Sequence, residues 1–186
     1  TGAFGTVWKA KDTKLDRSVA VKIPRKEQLS SGEAEQFIRE ARAAAQLKHP
    51  NIVSVHEVGR ENGQVYIVSD LVDGLSLSDW LTGQKLTSRE AAELCAKVAA
   101  ALEHAHQAGV IHRDVKPENV IIESGTGRPV LVDFGIAVSA PDGPTPVRGS
   151  PAFMAPEVLS HGIAGPASDL YSLACLTYEV LVGRLP

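Results

Sequence analysis

Short β-type runs over Thr6–Ala10 and Ser18–Ile23, separated by the polar stretch Lys11–Arg17, predict a hairpin at the start of the chain. A helix is predicted from about Glu33 to Leu47. Ser30 and Glu33 have the spacing of a capping box, and Phe37, Ala41, Ala44 and Ala45 form one small apolar face. Two more β runs, Ile52–Val58 and Gln64–Leu71, flank a turn at Gly59–Gly63. After Asp73-Gly74 the pattern turns helical. Thr87 and Glu90 cap a long helix through Ala108, which Gly109 closes. Two short strands, Asn119–Glu123 and Pro129–Val132, follow, then a Pro/Gly-rich loop over about Ser139–Pro151 and a last helix over Pro166–Val182. The layout is a β-rich half, a hinge near Asp70–Gly74 and a mainly helical half.

Composition narrows the classes. With 22 acidic and 19 basic residues the net charge is −3, which does not favour nucleic acid as a partner. Hydrophobic residues at 44% and charged residues at 22% are globular proportions. Cys95 and Cys175 lie in apolar helical stretches, the setting of reduced, buried thiols. The most apolar run, Leu170–Val182, contains Glu179 and is shorter than the ~18 residues of a membrane span. Thr1 is not a methionine, and Pro186 follows directly on an apolar segment, so both ends read as cut. The helix over 170–182 has large apolar groups on every side, a pattern that demands burial all round. On that reading the 186-residue segment alone is expected to be insoluble or partly unfolded.

Several residues stand out for chemistry. Gly2 and Gly5, in Gly-Ala-Phe-Gly-Thr-Val, suit a backbone that approaches phosphates, and equally suit a plain turn. No G-x-x-x-x-G-K-[ST] occurs, which excludes a P-loop. Lys22 ends the apolar Val19-Ala20-Val21 and points either into a cleft or, from an edge strand, to water. Glu40 in isolation reads as a solvated helix residue.

The segment His112-Arg113-Asp114-Val115-Lys116-Pro117-Glu118-Asn119 is followed by Asp133-Phe134-Gly135 and Ala155-Pro156-Glu157. Together with Val19-Ala20-Val21-Lys22, in this order and spacing, these motifs resemble those of the eukaryotic-type (Hanks-type) Ser/Thr protein kinases, and bacterial members most of all. The resemblance implies an α+β, bilobal fold, with a small β-rich N-lobe over 1–72 whose first strand is truncated. A mainly helical, incomplete C-lobe would follow over 73–186.

It implies ATP and Mg²⁺ as cofactors, with Lys22 on the α/β-phosphates and Glu40 orienting Lys22. Asp133 and Asn119 would be metal ligands, Asp114 the catalytic base and Lys116 a neutraliser of γ-phosphate charge. Gly2 and Gly5 would belong to the phosphate loop. Val7, Ala20 and Ile121 would wall the base, and the backbone of Asp70 to Val72 would read adenine after a gatekeeper at Ser69. Ala44, Val55, His112, Phe134 and Asp169 match a column linking the lobes. Alanine at 44 is smaller than the residue common there, and Val138 stands where many bacterial relatives carry arginine. The implied partners are proteins with Ser or Thr acceptors, together with self-association for autophosphorylation. Thr145, Ser139 and Ser150 are candidate regulatory hydroxyls, with Arg113 as the partner of a phosphate on Thr145. The implied location is cytoplasmic, alone or as the cytoplasmic part of a membrane-anchored protein.

A pseudokinase would lack one of Lys22, Asp114, Asn119 or Asp133, and all four are present. A small-molecule phosphotransferase is the other alternative. The segment 133–157 argues against it, because in the family that segment shapes a peptide groove.

Overall fold

The computed structural model describes residues 5–24, 31–134 and 150–186. Gly2, Ser30, Gly135, Val138, Ser139, Thr145 and Gly149 lie outside them. Strands β1 (Gly5–Asp12) and β2 (Arg17–Pro24) form the expected hairpin, each longer than its apolar run because the ladder continues to Asp12–Arg17. The Asp12 carboxylate closes the turn by accepting from the N–H groups of Lys14 and Leu15, both at 3.1 Å.

Helix α1 (Ser31–Ala44) ends three residues before its predicted limit. At Gln46 and Leu47 the backbone tightens to i−3 hydrogen bonds, on Ala43 and Ala44. Its buried stripe is Ala34, Phe37, Ala41 and Ala44.

The second hairpin differs from the expectation. Strand β3 (Val55–Glu61) starts later and runs through Gly59, and β4 spans Gln64–Asp70. The reversal is made by Asn62 and Gly63 alone, both with positive φ (49° and 78°). An Asn-Gly pair accepts that left-handed geometry and so permits a two-residue turn. Gly59 pairs with Tyr66, whose ring packs so closely on it that a Cβ would not fit. Ile52, predicted as strand, instead bridges Leu131. The four strands order as β1-β2-β4-β3.

The helical half contains two elements that the pattern did not separate, β5 (Gly74–Ser76) and α2 (Leu77–Gly83). Ser76 caps α2 by accepting from the Asp79 N–H. Helix α3 (Ser88–Gln107) has the predicted capping box. Thr87 Oγ1 accepts from the Glu90 N–H, and the Glu90 carboxylate accepts from the Thr87 N–H. Strands β6 (Val120–Glu123) and β7 (Pro129–Leu131) complete a sheet of order β5-β6-β7. Helices α4 (Pro156–His161) and α5 (Pro166–Val182) follow, the latter with the predicted limits.

The main core lies between α3 and α5, where Leu94, Val98, Leu102, Leu176 and Val180 meet Val115, Val120 and Leu131. Both cysteines are buried and free. On α5, Leu170, Tyr171, Tyr178, Leu181 and Val182 remain exposed. Among the described residues no helix is long and apolar enough to cross a membrane.

Candidate active site

The sheet places its candidates by register. In an antiparallel ladder, directly opposed residues share a face, as do positions i and i+2 of one strand. Val7 lies opposite Lys22 and Ala20 opposite Ser69. Val7, Ala20, Lys22 and Ser69 therefore line one face of the sheet. Asp70 ends β4 with its N–H donated to the Ser54 carbonyl (2.9 Å) and its carboxylate 2.6 Å from His56 Nε2. On β6, Ile121 is half-buried between the buried Val120 and Ile122. Ile122 lines a separate cavity of about 510 Å³ with Trp80, Leu94 and Pro129. None of the sequence-predicted site residues lines that cavity.

The loop between α3 and β6 hangs from one buried carboxylate. Asp169, on α5 and 1% exposed, accepts from the main-chain N–H of His112 and of Arg113, both at 2.8 Å. It also lies 2.8 Å from His106 Nε2. His106 carried no signal in the sequence, because a histidine in the last turn of a helix has many other uses. The His112 side chain is fully buried, and its Nδ1 accepts from the Asp114 N–H (3.2 Å). Nε2 therefore carries the ring proton and donates to the Val132 carbonyl (3.0 Å). Burial holds its pKa below the ordinary histidine value, against the opposing pull of Asp169. Its ring also meets Phe134, centroid to centroid at 4.7 Å. His112 thereby joins the loop carrying Asp114 to the segment carrying Asp133.

Of the expected column, Asp169, His112 and Phe134 are in contact. Ala44 shares the core of Phe134, whereas Val55 packs with the cluster under the first sheet.

At the centre, Asp114 Oδ2 receives the Lys116 ammonium and the Asn119 amide, both at 2.8 Å. Asn119 also donates to the Asp114 carbonyl (2.7 Å). A single turn of 3₁₀ helix, Pro117–Asn119, brings the asparagine back over the aspartate. Lys22 Nζ lies 2.9 Å from Asp133 Oδ1.

Glu40 does not pair with Lys22 here. Its Oε1 accepts from Arg113 (2.7 Å) and from Gln36 (3.2 Å). Lys22 is held by Asp133 and Glu40 by Arg113, so each charge of the expected pair has another partner. Arg113 was read in the sequence only as a phosphate partner. Its contact with Glu40 depends on how α1 sits over the loop, and no local pattern reports that.

Among the described residues no three His, Cys, Asp or Glu side chains gather as a ready cation cage. Asn119 and Asp133 offer single hard oxygens, the donor set of an Mg²⁺ shared with phosphate groups. The Asn119 amide nitrogen is spent on Asp114, which leaves its oxygen for a cation, and the Asp133 side chain is 40% exposed. These residues fit the implied nucleotide and metal.

The family model of the protein kinase domain matches residues 1–186. Serine/threonine-protein kinase PknA of Mycobacterium tuberculosis is 42% identical across the whole chain, which covers 46% of PknA. Serine/threonine-protein kinase PrkC of Bacillus subtilis is 37% identical, and the chain covers 29% of it. The chain thus spans less than half the length of these curated relatives. The crystal structure of the Mycobacterium tuberculosis PknI kinase domain superposes with a TM-score of 0.84 at 32% identity. That match covers all of this chain and 72% of the PknI chain.

Proposed function

Because the chain belongs to the protein kinase domain family, we propose that it is the catalytic part of an ATP-dependent serine/threonine protein kinase. It would transfer the γ-phosphate of Mg·ATP to Ser and Thr hydroxyls of protein substrates, further copies of itself included. The division into an N-lobe over 1–72 and a C-lobe over 73–186 belongs to this proposal. So does action in the cytoplasm, free or as the cytoplasmic part of a membrane-anchored protein.

The carrying observation is the bonded set of Asp114, Lys116 and Asn119. With Oδ2 occupied by the lysine and the amide, Oδ1 is, among the described residues, the oxygen left for the proton of an acceptor hydroxyl. Lys116, only 14% exposed, places a positive charge where negative charge develops. When bound, Mg·ATP supplies the phosphoryl group and a cation that offsets charge on its oxygens. Lys22 would hold the α/β-phosphates, and Asp133 and Asn119 the metal. Gly2 and Gly5 would cover the phosphates with backbone. Val7, Ala20 and Ile121 would wall the adenine, and the backbone at Asp70 and Val72 would read its edge.

The test is incubation of the full-length protein with Mg²⁺ and labelled ATP, followed by mass spectrometry for phosphoserine and phosphothreonine. Label is expected in the wild type and absent from Asp114→Asn and Asp133→Asn. Equal labelling of wild type and both variants would overturn the assignment.

A further inference from the structure

We propose that the cavity between α2, α3 and the β6–β7 hairpin binds a small apolar monocarboxylate, a medium-length acyl acid or an aryl acid, with Lys97 receiving its charge. The site is separate from the proposed active site, and the inference does not rest on the kinase reading. Strand alternation builds one wall. Leu75, Ile122 and Pro129 are directly opposed across β5, β6 and β7 and so share a face of the sheet. Ile121, proposed to wall the base, belongs to the other face, with Ser76 and Val130. Trp80 of α2, Leu86 of the connection after it and Leu94 of α3 complete the apolar lining. The enclosed volume, about 510 Å³, lies within the range of small-molecule sites, roughly 300–1,000 Å³. Leu75 remains 55% exposed although it stands in register with the buried Ile122 and Pro129, so the chain leaves this wall uncovered.

The walls are fixed without a ligand. The Ser124 N–H donates to the Asp73 carbonyl (2.8 Å), and Arg128 braces the hairpin against Glu123 (2.7 and 3.1 Å). Ser76 caps α2 and Thr87 caps α3, so both helices start at set points beside the sheet. A preformed cavity spares its ligand the cost of ordering the protein.

The polar rim selects the charge of the guest. Its carboxylates are engaged. Glu90 accepts from the Thr87 N–H and hydroxyl (2.8 and 2.7 Å), Glu93 pairs with Arg89 (3.0 Å), and Glu123 holds Arg128 and the Thr126 hydroxyl. Lys97 also lines the cavity, and among the described residues its ammonium has neither a hydrogen-bond nor an ion-pair partner. The open valence of the rim is therefore a single cation. A monoanion matches it, whereas a multiply charged anion would meet the three neighbouring carboxylates and a cation would meet Lys97 itself. An apolar body for the six apolar side chains and one carboxylate for Lys97 define the ligand class.

The test is calorimetric titration of the full-length protein with decanoate, decanol and decyltrimethylammonium, which share one alkyl chain and differ in charge. Decanoate is expected to bind saturably and about fivefold more tightly than decanol, the worth of one partly solvated ion pair, with decyltrimethylammonium weakest. Lys97→Gln should bring decanoate to the level of decanol and leave decanol unchanged. Leu75→Asp, a change at a half-exposed position, should weaken decanoate and decanol alike, on the order of tenfold. Should that variant not melt cooperatively, Leu75→Ser takes its place. Absence of saturable decanoate binding overturns the site. So does decanoate binding that either variant leaves as in wild type, or that is no tighter than that of decyltrimethylammonium.

Discussion

Asn119 is bonded to Asp114 twice, to its carbonyl at 2.7 Å and to its carboxylate at 2.8 Å, so the asparagine fixes both the main chain and the side chain of the proposed base. An isosteric amide at 114 retains the shape but cannot accept the proton of an acceptor hydroxyl. Asp114→Asn should lower kcat by ~10²–10⁴-fold, the usual worth of a positioned base, with Mg·ADP affinity nearly unchanged. Steady-state kinetics and calorimetry on the full-length protein check both halves. Near-normal turnover would remove Asp114 from the role of base.

Lys22 and Asp133 should behave differently. They are joined at 2.9 Å and are proposed to hold the phosphates and the metal. Lys22→Met and Asp133→Asn should each weaken Mg·ADP binding by roughly 10–100-fold, the range of a hydrogen bond to a charged group. The effect of Asp133→Asn should shrink when ADP is titrated without Mg²⁺. If the two variants bind Mg·ADP as wild type does, the nucleotide is held elsewhere.

Removing the Asp169 carboxylate should cost stability before chemistry. Its two oxygens take the N–H groups of His112 and Arg113 and the His106 ring, all at 2.8 Å. Asp169→Ala leaves those donors without their acceptor, and the expected loss is about 3–5 kcal/mol, at roughly 1–3 kcal/mol for each donor left unsatisfied. Denaturant unfolding of the full-length protein measures it. A midpoint unchanged from wild type would show that the loop has another anchor.

Acid should destabilise the fold through two histidines. Burial holds the pKa of His112 down, and burial with the neighbouring His104 does the same for His49. His49 Nδ1 also accepts from the Asn51 N–H at 3.1 Å, a bond that protonation at that atom would break. Both groups have folded pKa values below their unfolded ones, so the unfolded chain binds more protons. Their stabilisation is complete above the unfolded pKa, about 6.5, and is lost as pH falls through that value toward the folded pKa. The melting temperature should drop between pH 7.5 and 5, with a smaller drop in His49→Asn. An identical slope in that variant would exclude His49 as a contributor.

How far the sequence revealed these features depended on the range of the interaction. The Thr87–Glu90 capping box and the limits of α5 are local events, so three-residue spacing and a Pro at the helix start foretold them. The turn at Asn62-Gly63 was equally local but was masked by the glycine at 59, which serves close packing against Tyr66 and not chain reversal. Asp114, Lys116 and Asn119 lie within one short segment, and their motif named them together. The partner of Glu40 was not readable in the same way. The sequence offers two cations, Lys22 and Arg113, as partners for a glutamate on α1, and the pairing with Arg113 is set by the position of a whole helix.

The anchoring of the 112–114 loop has a practical consequence. Asp169 grips the loop through main-chain amide hydrogens and not through the loop's side chains, so its path is written in groups that every amino acid but proline would supply there. Replacing the Asp114 carboxylate by an amide therefore alters reactivity and leaves the outer surface as it was. Such a variant, produced alongside the normal protein, should occupy the same protein partners without modifying them and act as a competitor for them.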